Sequence, residues 1–201
     1  MALGTIVGAS SSSGSGSSKS TINLSWDGRS YTQHDTWFYF NSTNGTNYYL
    51  MNTNYSRNLL GNFAISPINT YPAGKHHGFT SPIDGIIKSI TISFHCLTST
   101  YVGTFQFGLI HGTIDTETTS STVPTTNINI GNNGESATGN DTALEETITD
   151  YFHRHVVSKE DINHSVKKGD MIMVACRRTT DTNDSMIHQL LLSVNIIIEE
   201  E

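Results

Sequence analysis

Nine histidines in 201 residues are the first place to look for chemistry. In His153-Arg154-His155 two imidazoles are spaced two residues apart, and on an extended strand both project to one face. Three such pairs gathered at a threefold axis would present six nitrogens, an octahedral set suited to a transition metal. One pair alone is explained more simply as the polar face of a strand. His153 and His155 are therefore the metal candidates, while no resident metal or cofactor is expected. His76-His77 falls in an irregular stretch and reads as a surface pair. The carboxylates Asp141, Glu145, Glu146 and Asp150 are near enough in sequence to consider acid and base work on a glycosidic bond. They border a polar loop, where a solvated acidic face accounts for them. No serine has the Gly-x-Ser-x-Gly context of a nucleophile elbow. Gly74-Lys75 fails as a phosphate loop, with Asn69 and His76 where Gly and Ser or Thr are required. The expectation is a chain without catalytic residues, not an enzyme.

Charge and composition narrow the remaining classes. A formal net charge of −7 leaves no basic surface to displace the counterions of a nucleic acid, and the doublet Arg177-Arg178 is too small to supply one. No apolar run reaches the length of about 18 residues that a membrane helix needs, and the opening MALGTIVGASSSS lacks the basic and apolar regions of a leader. Neither membrane insertion nor export is expected, so the Asn-x-Ser/Thr sequons, for example at Asn41, Asn44 and Asn140, would not meet glycosylating enzymes. Cys96 and Cys176 each lie inside an apolar run and are expected as buried reduced thiols. The chain holds 24 Ser, 27 Thr and 17 Asn, while strong helix formers are few, which favours strands.

The elements that must position these residues follow from periodicity. Ile86 to Cys96 alternates, with Ile90, Ile92, Phe94 and Cys96 on one face and Ser89, Thr91, Ser93 and His95 on the other. Tyr101 to Leu109 sets Phe105, Phe107 and Leu109 opposite Thr104, Gln106 and Gly108. Thr126 to Ile130 reads as a short strand, and Leu144 to Val157 as extended chain with an ambiguous first half. Lys159 to Val166 reads as a polar link into a tight Lys-Lys-Gly-Asp turn, which delivers the strands Met171 to Cys176 and then His188 to Glu199. With two N-terminal runs this makes about eight strands at sandwich spacing.

Three segments are expected. Residues 1–22 form a Ser/Gly-rich arm that cannot bury surface of its own, with Leu3, Ile6 and Val7 as its anchoring peg. Residues 23–80 are rich in aromatics, and the runs at 36–40 and 48–51 are apolar on both faces. Such strands need cover on both sides. Trp37, Phe38, Phe40, Tyr48 and Tyr49 are accordingly the candidates for a trimer interface. Residues 81–201 form an antiparallel β-sandwich.

Ser81-Pro82-Ile83-Asp84-Gly85-Ile86-Ile87-Lys88-Ser89-Ile90, a Thr/Ser-rich middle, Val166-Lys167-Lys168-Gly169-Asp170 before an apolar strand, and an apolar final strand follow one another in this order. Over residues 45–201 the chain resembles the jelly-roll virion proteins of tailed phages, particularly those of marine cyanobacteria. The resemblance implies a homotrimeric fibre, spike or decoration module, assembled in the host cytoplasm into the virion and attached to capsid, tail or baseplate proteins by its arm. It also implies an alternative, a fibre or spike head whose loops around 111–142 bind a host surface glycan, and a third, an enzyme degrading polysaccharide. The family carries no fixed catalytic motif.

Overall fold

A computed structural model of the chain describes residues 19–32, 38–39, 79–96, 103–113, 125–131, 143–149, 153–179 and 188–201. Every regular element among them is a strand: β1 Thr21–Thr32, β2 Phe38–Tyr39, β3 Phe79–Thr80, β4 Gly85–Cys96, β5 Gly103–Gly112, β6 Thr125–Ile128, β7 Leu144–Ile148, β8 His155–Lys159, β9 His164–Val166, β10 Met171–Arg178 and β11 His188–Glu200. They form two antiparallel sheets. The first runs β1-β11-β4-β8, with β9 also on β4, and the second runs β2-β10-β5-β6, with β3 on β10 and β7 on β5. The all-β, two-sheet character expected from the alternation is what the described residues adopt.

The core lies between the sheets. Ile90, Ile92, Phe94 and Cys96 of β4 and Leu190, Leu192, Val194, Ile196 and Ile198 of β11 face Phe105, Phe107 and Leu109 of β5 and Ile172, Val174 and Cys176 of β10, all buried. The Phe94 ring lies 5.4 Å from that of Phe105 and 4.9 Å from that of Phe107, both tilted. Such a cluster adds about 0.5–1.5 kcal/mol per aromatic pair beyond the area it removes from water. Cys96 and Cys176 lie buried within it.

The register of β4 shifts once. Ile197 pairs with Ser89 but Ile198 pairs with Ile87, so Lys88 is the extra residue of a β-bulge. The bulge is visible as a change of phase, since buried Ile87 is odd while buried Ile90, Ile92 and Phe94 are even. Its carbonyl accepts the Ile162 N–H at 3.0 Å, and its ammonium reaches Asn163 Oδ1 at 3.0 Å and Glu199 at 3.5 Å. Asp161 and Asn163 hold positive φ around that contact, a conformation their short polar side chains tolerate.

Several local expectations change. Thr104, Gln106 and Gly108, expected opposite the core, are buried too. Lys159 to Val166 is not wholly a link, for β9 pairs with residues 85–87 of β4. Leu144 to Val157 divides into β7 on the second sheet and β8 on the first.

β1 pairs with β11 over twelve residues, and β2 and β3 lie on β10, so chain from the 23–80 segment contributes strands to both sheets. Phe38 pairs through its backbone with Cys176. Trp37, Phe40, Tyr48 and Tyr49 lie outside the described residues, as do Leu3, Ile6 and Val7 of the arm.

Candidate functional site

The two motifs quoted above clasp each other. The Ser81 N–H donates to the Asp170 carbonyl at 2.8 Å, and the Gly169 N–H donates to the Ser81 carbonyl at 2.8 Å. Asp84 Oδ1 accepts the Lys168 N–H at 2.7 Å. The Ser81 hydroxyl donates to the Ile83 carbonyl at 2.8 Å, fixing the Pro82 turn. Each motif thus satisfies the other's loop amides, groups that would be costly to bury unpaired. Gly169 sits at φ +96°, where a side chain is strained, and Gly85 is held so close to β11 that a Cβ would lie 2.6 Å from the Glu199 carbonyl oxygen.

The clasp also positions a set of titratable groups. His111, near the end of β5, continues the inward face of Phe105, Phe107 and Leu109 and stands in register with Ile172. His164 opens β9 opposite Ile87, on the other sheet. Their rings meet edge to face at 5.0 Å, with His111 Nδ1 2.9 Å from His164 Nε2. His111 Nε2 lies 2.7 Å from Asp170 Oδ2, which also accepts the Lys167 N–H at 2.8 Å. The His111 side chain is 13% exposed and that of Asp170 5%.

With Asp170 as acceptor, the pattern assigns the His111 proton to Nε2 and leaves Nδ1 to accept from His164 Nε2. Burial pushes the His164 pKa below the ordinary imidazole value; the neighbouring His111 lowers it further, and Asp170 opposes both. Carboxylate, imidazole and imidazole in line form the orienting part of a nucleophile–base array. Among the described residues, however, His164 makes its hydrogen bond to His111 and to no hydroxyl or thiol.

A second constellation crosses the outer face of the second sheet. Arg177 Nε donates to Gln106 Oε1 at 2.8 Å, and Gln106 Nε2 donates to Glu145 Oε2 at 2.7 Å, one cross-strand row over β10, β5 and β7. Beside it Thr104 and Thr147, directly paired, share a hydroxyl hydrogen bond of 2.9 Å. Glu145 and Glu146, considered together above, point to opposite faces of β7. Glu146 lies 3.8 Å from His155 Nδ1, while Asp141 and Asp150 lie outside the described residues.

His155 lies in β8, stacked on Phe94 with centroids 5.4 Å apart, whereas His153 precedes the strand, exposed, with its carbonyl 3.2 Å from His95 Nδ1. The period-two argument therefore applies to His155 and not to His153, which lies outside the strand. No group of three His, Cys, Asp or Glu side chains is placed to hold a metal among the described residues.

The reading of the sequence missed His111 and His164 and saw in Asp170 only a turn residue. His111 carried a signal, because it falls in phase with three buried apolar residues. Its partner does not, being 53 residues away on the other sheet. No family model, no curated protein and no solved structure matches this chain.

Proposed function

We propose that this chain is a non-enzymatic jelly-roll module of a tailed-phage virion, homotrimeric and attached to the particle through its arm at Leu3, Ile6 and Val7. The observation that carries the reading is strand order. β2 and β3 lie along one edge of β10, β6 and β7 along one edge of β5, and β8 and β9 along one edge of β4, so each pair counts as one interrupted strand. Eight strands then remain, ordered 1-8-3-6 in one sheet and 2-7-4-5 in the other, with every neighbour antiparallel. This order supports the jelly-roll reading, an architecture used for capsid and lectin domains. Function is carried over from fold by analogy here, and the two motifs of the resemblance, now seen clasped, point the same way.

The test is assembly. Sedimentation of the whole chain should give three times the 22.0-kDa chain mass, and deletion of residues 2–20 should leave that trimer folded but absent from particles. Three arms docking together make the second and third events intramolecular, so loss of all three removes far more affinity than one arm supplies. A stable monomer at micromolar concentration overturns the trimer. Wild-type occupancy of the truncated chain on particles overturns the anchor.

A further inference from the structure

We propose that Asp170, His111 and His164 form an acid-released staple between the two sheets, holding β9 and the 167–170 turn against β5 at neutral pH and releasing that end of the sandwich when the pH falls. The geometry is a side-chain bridge from one sheet to the other, with His111 on the second, His164 on the first, and Asp170 fixing both the His111 ring and the turn.

Proton accounting makes the bridge acid-sensitive. In place, His164 is half-buried and donates through Nε2. A first added proton puts a charge on this desolvated ring. A second leaves two N–H donors facing each other across 2.9 Å, with one carboxylate to offset two cations. Opening this end gives the His164 ring water, in which an imidazole accepts a proton near 6.5. The open form therefore binds more protons than the closed one, and falling pH draws the equilibrium towards it. The sign follows from the lowered pKa of His164: its contribution is whole above 6.5 and is lost as the pH drops from 6.5 towards the value it has in place.

Among the described residues the surrounding charges do not cancel this. Lys167 and Lys168 are exposed on the turn and engage the array and Asp84 through their backbone N–H groups. Lys88 of β4 is committed to Asn163 and Glu199. At the chain's end Glu201 accepts from Ser165, the β9 residue that points away from His164. β3 and β6 bring no charged residue.

The experiment is amide hydrogen exchange on the whole chain at about pH 7.5 and about pH 5.5, corrected for intrinsic rates. Protection of 164–170 and 79–84 should fall severalfold at the lower pH, while that of 90–96 is kept. His164→Gln retains an amide donor towards His111 but does not titrate, and its protection should be the same at both values. Ring carbon NMR of the wild type supplies an independent reading, in which His164 should titrate below 6.5 and in step with the loss of protection. Equal wild-type protection at the two pH values, a His164→Gln variant as acid-sensitive as the wild type, or a His164 that titrates at or above 6.5 would each overturn the staple. None of these readouts depends on the chain being a trimer or part of a virion.

Discussion

The outer faces of the two sheets meet different surroundings. On the first sheet the outward rows run Ser25-Asn195-Thr91-Ser158 and Asp27-Ser193-Ser93-Val156. They are small and polar, and they end in Val156 at 59% exposed, with Leu191 nearby at 40%. On the second sheet Met173, Ile110, Ala175 and Arg177 face outward and are as buried as the core. The sequence carries this difference: β4 alternates, whereas Met-Ile-Met-Val-Ala-Cys has no polar phase at all. A strand apolar on both faces is a strand covered on both faces. The outward side chains of β10 are buried accordingly. The trimer rests on its own measurement.

The largest expected effect comes from forcing the second outer face to behave like the first. Met173 is 2% exposed, and Met173→Lys would bury an unpaired ammonium at a cost of about 3–5 kcal/mol. Urea denaturation should show a chain mostly unfolded or aggregated. Loss below about 1 kcal/mol would mean this face opens to water readily. Gly85→Ala comes next, since its Cβ would strike β11 backbone at 2.6 Å, and overpacking of that kind costs about 1–3 kcal/mol by thermal melting. Gly169→Ala meets open space and suffers only from its φ of +96°, so it should cost less, about 1 kcal/mol.

The polar row on the covered face gives a finer test. Gln106 links Arg177 to Glu145 and is itself buried. Gln106→Leu keeps the volume and removes both bonds, taking a partner from a buried guanidinium, at about 1–3 kcal/mol in chemical denaturation. Thr91→Leu on the solvated face should change stability by no more than about 0.5 kcal/mol.

How much of this was legible depends on the range of the interactions. The inward faces of β4, β5 and β11 were readable because alternation is a local property, and their Ile, Phe and Leu are where it placed them. The same rule failed at Thr104 and Gln106, since polar residues in an alternating strand signal water only when nothing lies over them. The bulge was present in the sequence as the phase change from Ile87 to Ile90, a local mark that the alternation alone passed over. His111 and His164 are brought together by two sheets closing on each other, and no spacing within the chain encodes that contact. Asp170 was noticed as a turn residue, and its second partner again depended on tertiary structure.

The smallest expected effect belongs to the first outer face. Val156 projects outward from β8, at the end of its sheet's strand order, and is the most exposed large apolar side chain among the described residues. Val156→Lys removes little buried area, because little is buried, and gives up only the β-branched preference, so stability should stay within about 0.5 kcal/mol. A lysine there also discourages pairing at a sheet edge, which natural sheets commonly guard with charge. In a chain whose first outer face is truly solvated, urea midpoint and sedimentation should both match the wild type. Should the midpoint hold while the sedimenting mass falls, this face is the one that meets other copies.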